Sequence, residues 1–409
     1  MTKVGKLWII SEVYYPEEIG TGYYLTRLAE GLAKRYDVNV LCSQPTYSAR
    51  GLSAPWREMH NDVSIQRCPG TTFNKDVIVL RLVNVVTISL SLFLWALMSI
   101  RKSDVVIAVT NPPLLPFLIA IVCRLRRAKF ILRVDDVYPE ALIATGLARS
   151  ESVIVRLLAS MTRRLYRSVD QIVVMGRDME RLARKKLSGT PKQISVIPNW
   201  ADVALVMPAS KANNTLVTEL GLADKFIVQC AGNMGRAQGV ENMLRAAELL
   251  KDQQNIHFLF IGGGAKRRWM ENEVQQKRLH NVTLLDQRPR SDQPNFLNAC
   301  DIAMVSLLPG ITGAGVPSRL YNIMAAGKPV LAVTGLDSEV ALVVDEESLG
   351  WCVHPDQPSE LAEAILEAKA NPSRLLQMGE LARAVAEKKY SPEHIIETYA
   401  RLIEDVMAA

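Results

Sequence analysis

The chain has 409 residues, 49% hydrophobic and 22% charged, with a net charge of +6 at pH 7. That length exceeds one ordinary core and suits two α/β domains, and the composition excludes a disordered or fibrous chain. Residues 1–200 hold 28 Lys+Arg against 16 Asp+Glu, while the remainder hold 20 against 26. A basic half suits nucleic acid, anionic ligands or an anionic membrane surface. Aromatic–basic interleaving is missing, so nucleic acid is not expected and the membrane is favoured. Six scattered cysteines with no C-x-x-C pair read as reduced core residues of a cytoplasmic protein, and five histidines never reach metal-ligand spacing. No metal site is expected.

Taken in order, Leu7–Ile10 reads as a first strand, too short for the core of a signal peptide. Further strands are expected at Val38–Cys42, Asp104–Val109, Lys129–Val134, Gln171–Met175 and Gln193–Pro198, with helices between most of them. Such alternation predicts a parallel sheet covered on both faces. Between the first strand and a helix with Leu25, Leu28, Ala29 and Leu32 on one face lies Tyr14 to Gly22. Gly20, Thr21 and Gly22 in that stretch form either a close backbone approach to a ligand or a plain turn. No G-x-G-x-x-G follows the first strand, and the second ends in Ser43 and Gln44 without an acid, which argues against a dehydrogenase.

The window Leu82–Ile100 is the most apolar in the chain and long enough to span a bilayer. Arg81, Asn84, Thr87 and Ser91 share one helical stripe, however, and a strand follows at once, so a buried or membrane-apposed helix is expected. Leu114–Leu125, with Arg124, Arg126 and Arg127, is a second apolar helix ending in arginines, and Arg156, Arg163, Arg164 and Arg167 mark a third. Such helices suit an anionic leaflet or, equally, a solvated basic surface. Asp135 and Asp136, with Tyr138 and Glu140 beyond, gather carboxylates at a strand's carboxyl end, where they can hold an acceptor hydroxyl or take its proton. Helix capping by Asp136 is the plain alternative.

After Ile197-Pro-Asn199 and a linker-like stretch at 208–214, strands recur at Phe226–Ala231, His257–Ile261, Val282–Leu285, Ile302–Ser306, Pro329–Val333 and Trp351–His354. The first runs into Gly232, Asn233, Met234, Gly235, Arg236, Ala237, Gln238 and Gly239, a turn open enough for phosphate, with Arg236 for charge and Gln238 as a hydrogen-bond donor. Gly262 to Gly264 reads as a tight turn. Gly313, Ala314, Gly315, Val316, Pro317, Ser318 and Arg319 lead into a short helix closed by Gly327 and Pro329. Bare amides at a helix start beside a guanidinium make an anion site suited to a leaving diphosphate.

Together these segments resemble the family 4 retaining, nucleotide-sugar-dependent glycosyltransferases, in particular the branch making O-antigen, colanic-acid and other capsular sugars. That branch often carries D-L-W-P-E and P-S-K segments, here Asp136-Val-Tyr-Pro-Glu140 and Pro317-Ser318-Arg319. The resemblance covers essentially the whole chain. It implies the GT-B fold: two Rossmann-like domains with parallel sheets facing across a cleft, at 1–203 and 204–389, with a C-terminal helix at 390–409 crossing back to the first.

By the same resemblance the donor is a nucleoside-diphosphate sugar, no further cofactor is needed, and the anomeric configuration is retained. Catalysis would rest on Asp136, Asp135 and Arg236, and donor binding on Gly20, Thr21, Gly22, Gly232, Asn233, Arg236, Gln238, Gly315, Val316, Pro317, Ser318, Arg319 and Asn322. Tyr138 and Glu140 would face the acceptor. Three departures stand out: the family's E-x7-E pair falls on Ala314 and Asn322, the usual Arg and Lys of the glycine loop on Asn233 and Gln238, and the histidine before the first-domain Asp on Asp135. The expected acceptor is a polyprenyl-diphosphate-linked saccharide, met by a cytoplasmic protein peripheral to the inner face of the cell membrane. A sugar-nucleotide epimerase of similar build, or a catalytically silent membrane-associated scaffold, is the competing reading.

Overall fold

The computed structural model describes residues 3–18, 20–46, 52–73 and 77–409. The chain divides into two compact units: Met1–Pro139 with Arg149–Pro198 and Ile395–Ala409, and Glu140–Ala148 with Asn199–His394. The chain therefore leaves the first unit at Pro139, returns at Arg149, leaves again after Pro198 and comes back for its last helix.

The first unit contains β1 (Lys6–Ile10), α1 (Gly20–Leu32), β2 (Asp37–Cys42), β3 (Arg57–His60), β4 (Val63–Arg67), α2 (Ile78–Ser99), β5 (Val105–Val109), α3 (Leu115–Arg126) and β6 (Lys129–Val134). After the excursion through α4 (Glu140–Ala144) come α5 (Val153–Ser168), β7 (Gln171–Val174), α6 (Arg177–Leu187) and β8 (Ile194–Val196). The eight strands lie in the order β3-β4-β2-β1-β5-β6-β7-β8. All pair in parallel except β3, which joins β4 through a hairpin at Asn61 and Asp62, both with positive φ. This hairpin was not among the expected strands, although two consecutive residues tolerant of the left-handed region are its usual signature.

The inner strands β1, β5 and β7 are apolar along nearly their whole length because helices cover both faces of the sheet. Successive steps from β4 to β5, β6, β7 and β8 run in one direction, so right-handed crossovers put α2, α3, α5 and α6 on one face. The step from β1 to β2 runs the other way and puts α1 on the opposite face. There α1 meets α15 (Pro392–Ala408): a side chain at Gly31 would stand 2.6 Å from Ile396, and the Tyr36 hydroxyl donates to the Ala400 carbonyl at 3.1 Å. The buried stripe of α15 is Ile395, Tyr399, Ala400, Ile403 and Val406, with Ile403 rather than Leu402 turned inward.

The second unit holds α7 (Thr215–Glu219), β9 (Phe226–Ala231), α8 (Val240–Leu249), β10 (Ile256–Ile261), α9 (Arg267–Gln276), β11 (Val282–Leu285), α10 (Gln293–Leu297), β12 (Ile302–Ser306), α11 (Arg319–Ala325), β13 (Val330–Val333), α12 (Glu339–Glu346), β14 (Gly350–Val353), α13 (Pro358–Ala370) and α14 (Pro372–Lys389). Six parallel strands run β11-β10-β9-β12-β13-β14. One cluster of core residues packs α11 and α14 with the entering segment at Ala201 and Val206, and another packs α8 and α13 on the opposite face.

The segment that enters this unit is fixed by a buried ion pair. Arg290 bonds the Asp202 carboxylate, Trp200 donates its indole N–H to the same carboxylate at 3.3 Å, and the Asp202 N–H donates to the Asn322 carbonyl at 2.9 Å. Asp202→Ala removes the carboxylate paired with the largely buried Arg290 guanidinium. The expected loss is about 3–5 kcal/mol of stability, read by denaturant unfolding of the second unit.

Candidate functional site

In an open parallel sheet, ligands bind outside the carboxyl ends of the strands where the strand order reverses. In the second unit that point lies between β9 and β12. β9 runs into the loop 232–239, and β12 runs through Leu307 to Ser318 into α11. The loop cannot float free, because β10 ends beside it in Gly262-Gly-Gly264. Gly232 donates its N–H to the Ile261 carbonyl at 2.8 Å, Met234 to Gly263 at 2.7 Å, and Lys266 returns a bond to Met234 at 3.0 Å.

The contact is so close that a Cβ on Gly262 would stand 2.0 Å from the Gly232 oxygen, and one on Gly264 would stand 2.4 Å from the Asn233 side chain. Gly262 has φ +143°, in the region that favours glycine. The triplet expected to be only a tight turn is therefore the floor under the glycine loop.

Arg319, the first residue of α11, lies across this loop. Its Nη2 donates to the Asn233 carbonyl at 3.1 Å, its Nη1 contacts the Cys230 sulfur at 3.6 Å, and its guanidinium carbon is 3.1 Å from where a Cβ on Gly232 would be. Glycine at 232 is what lets the guanidinium rest there. Arg236 stands exposed further along the same loop and forms no ion pair among the described residues. Gln238 turns inward: its side-chain carbonyl accepts the Gly235 N–H at 3.0 Å and closes the loop on itself, so this end of the amide acts as a brace rather than a donor.

Gly315, Val316, Pro317 and Ser318 form the half-buried approach to Arg319, and Ser318 makes no side-chain cap. Asn322 is only 5% exposed. Its carbonyl is taken by the Asp202 N–H, and its amide faces Gln293 at 3.5 Å, so its polar atoms serve the interior of the unit.

In the first unit the order reverses between β1 and β5. Gly20, Thr21 and Gly22 are not loop residues there; they are the first turn of α1 (residue 19 lies outside the described residues). The two glycines differ: a side chain at Gly20 would meet nothing within 4 Å, whereas one at Gly22 would stand 2.9 Å from the Glu17 carbonyl. Only the second is required by packing.

Asp135 and Asp136 follow β6. Thr110, buried at the end of β5, accepts the N–H of both through its hydroxyl oxygen, at 3.2 and 3.1 Å. Arg133, 2% exposed, donates from Nε to Asp135 at 2.9 Å. Asp136 reaches solvent, yet the protein crowded around it displaces enough water to push its carboxyl up to about 6, with the Asp135 charge adding to the shift. Asp135 thus spends its charge on Arg133, and Asp136 is left as the carboxyl able to exchange a proton near neutrality. Tyr138 is half-buried. Glu140 opens α4 and groups with the second unit, where Ala141 and Ala144 pack on Leu307, Ile311 and Ala314.

Thr110 had not been singled out from the sequence, and Gly262–Gly264 had been read only as a tight turn. A single Thr after a buried strand leaves no pattern to find, whereas a glycine triplet at a strand's carboxyl end is a legible sign of backbone meeting backbone. Among the described residues no group of three His, Cys, Asp or Glu could hold a metal ion.

Two family models match the chain: a glycosyl transferase 4-like domain over residues 20–200 and the glycosyl transferases group 1 domain over 215–385. A probable glycosyltransferase of Pseudomonas aeruginosa, WbjE, is 36% identical over 267 residues, which span 65% of this chain and 66% of that relative. A putative colanic acid biosynthesis glycosyl transferase of Escherichia coli, WcaI, is 26% identical over 89% of this chain and 92% of its own length. Among solved structures, the sucrose-phosphate synthase of Thermosynechococcus elongatus has the same fold, with a TM-score of 0.78, 19% identity and 99% of each chain covered. So does HepE of Anabaena, solved with UDP and glucose, at a TM-score of 0.74, 15% identity, and 98% of this chain and 99% of that one covered.

Proposed function

The chain belongs to the glycosyltransferases that join a 4-like domain to a group 1 domain, and from that membership we propose that it moves a sugar from a nucleoside-diphosphate donor to a saccharide acceptor in bacterial surface polysaccharide synthesis. The observation that carries this reading is Arg319 laid across the glycine loop at the strand-order reversal of the second unit. The barrier to transfer is departure of a diphosphate from a carbon that gains positive charge. A braced loop and the two guanidinium groups of Arg236 and Arg319 stabilise the departing charge without having to reorganise, and no metal is required in this scheme. The anomeric configuration is retained.

Asp136, pushed up to about 6 and so mostly ionised at pH 7, faces the acceptor and takes its proton. Asn322, engaged inside the unit, supports α11 and the diphosphate end of the site rather than offering a charge to the ribose. The acceptor is carried on a polyprenyl diphosphate, so the protein works at the inner face of the cell membrane. Uridine diphosphate is the first nucleotide to try, because HepE was solved with it.

Calorimetry with uridine and guanosine diphosphates tests the donor site directly. Arg319→Ala is expected to weaken the preferred nucleotide by roughly 10- to 100-fold, the worth of a charge-assisted contact to a phosphate. Unchanged affinity removes Arg319 from the site. Transfer from a radiolabelled nucleotide sugar onto membrane extract then distinguishes a transferase from a protein that only binds.

A further inference from the structure

Arg133 is a charge in a place that favours none. It stands next to last in β6, between Val109 of β5 and Val173 of β7, and is 2% exposed in a strand that is otherwise buried and apolar beyond Lys129. A guanidinium taken out of water is costly unless it is paired. Its Nε donates to Asp135 at 2.9 Å. It also meets the buried hydroxyl of Tyr399 from α15, and Tyr24 of α1 is close enough to act on its charge.

The dependence runs both ways. Thr110 fixes the main chain at 135 and 136, yet among the described residues Arg133 alone bonds the Asp135 carboxylate, whose Oδ2 is buried and accepts nothing from them. Asp136 comes next in the chain. Its carboxyl is pushed up to about 6, first by the protein crowded around it and then by the Asp135 charge. Whatever neutralises Asp135 therefore governs its neighbour. A pair that only held the sheet together would gain nothing from this position, since apolar residues of similar volume often serve as well or better in such places.

We propose that Arg133 is a positioning residue for transfer, held in turn by Tyr399: it fixes Asp135 and offsets that charge, so that Asp136 can take the acceptor's proton. The inference rests on the reading of Asp136 as that base and adds two residues to it, one of them from the last helix of the chain. The ionisable groups facing the two carboxylates are Arg133 from β6, Tyr24 from α1 and Tyr399 from α15, while β5 contributes the neutral Thr110 hydroxyl. Burial pushes the Tyr399 hydroxyl up, so it stays neutral where the carboxylates titrate. With Arg133 gone, Asp135 and Asp136 become a coupled pair of like charges, and the second proton leaves at a higher pH. Tyr399 acts one step further off, by keeping the guanidinium turned toward Asp135.

The test is the pH profile of sugar transfer by the full chain, with radiolabelled nucleotide sugar at saturating concentration. Arg133→Gln is expected to move the rising limb up by at least about one pH unit, which lowers turnover about tenfold at pH 5. Adding Asp135→Asn removes the charge left without its cation and should bring the limb back to the parent's position or below it. Arg133→Lys keeps a cation and should hold the limb near the parent's. Tyr399→Phe keeps the packing of α15 and should move the limb in the same direction as Arg133→Gln, by less. A merely structural pair predicts instead a loss that is equal at every pH and that Asp135→Asn deepens; either result overturns the inference. Thermal unfolding shows which variants fold, and if Arg133→Gln does not, Tyr399→Phe decides, an unmoved limb overturning the inference. The underlying reading is scored separately. A parent without a limb near pH 6, or an Asp136→Asn variant that keeps it, removes the base and this inference together, whereas a parental limb that Arg133→Gln leaves in place removes the inference alone.

Discussion

Gly262→Ala should lose nucleotide binding by about 100-fold or more, although position 262 belongs to the floor rather than to the loop itself. Its φ of +143° already costs a side chain about 1–3 kcal/mol. The new Cβ would also stand 2.0 Å from the Gly232 oxygen, a main-chain atom that cannot step aside like a flexible side chain. Forcing the two backbones apart adds roughly 1–3 kcal/mol and displaces the surface on which Arg319 lies. Displacement of a positioning surface by about 1 Å is enough for a 100-fold loss. Thermal unfolding of the second unit and calorimetry with uridine diphosphate read the two effects. Gly263→Ala is the control, because a Cβ there meets nothing within 4 Å. Should both variants bind like the parent, the brace has no part in holding the loop.

Asp136→Asn should lower turnover by about 10²- to 10⁴-fold with little change in donor affinity, the range expected when a positioned base is removed. The pH profile is the sharper readout. A carboxyl pushed up to about 6 is deprotonated only above that pH, so the rate should climb through pH 6 and level off, and the Asn variant should lose this limb. Stability should move the other way. The folded-state pKa lies above the ordinary carboxylate value of about 4, so folding favours the protonated form and the parent loses stability as pH rises from about 4 to about 6. Asp136→Asn removes that loss, and the variant should unfold at a higher temperature than the parent at pH 8 and match it below about pH 4. A stabilised, inactive variant identifies Asp136 as a group whose charge is kept for chemistry; a destabilised one identifies it as part of the scaffold.

The two parallel sheets were legible because buried strands such as Leu7–Ile10 and Phe226–Ala231 are nearly unbroken apolar runs between glycine-bearing turns. The β3–β4 hairpin was not, because Arg57–His60 sits at a sheet edge with polar and half-exposed side chains and so carries no run to see. At the site, the loop 232–239 and Arg319 were readable as backbone openness beside a fixed charge. What each polar side chain touches was not. Asn322 and Gln238 look alike as donors in one dimension, and only the packing of α11 on the Asp202 segment, and of Gln238 under Gly235, turns both inward. The apolar window at 82–100 was visible as a window, but which face of α2 would keep its polar residues depends on the segment 71–73, far from any periodicity of the helix itself.

The return of α15 to the first unit sets an order of assembly. Gly31 and Tyr36 receive their covering from Ile396 and Ala400, more than 350 positions later in the chain. As the chain leaves the ribosome, the second unit has all of its strands before Pro392–Ala408 has been made, so the part synthesised first is the part completed last. Until then the flank of α1 that awaits α15 is open to chaperones and to other nascent chains, and in this protein that wait lasts for nearly the whole of synthesis.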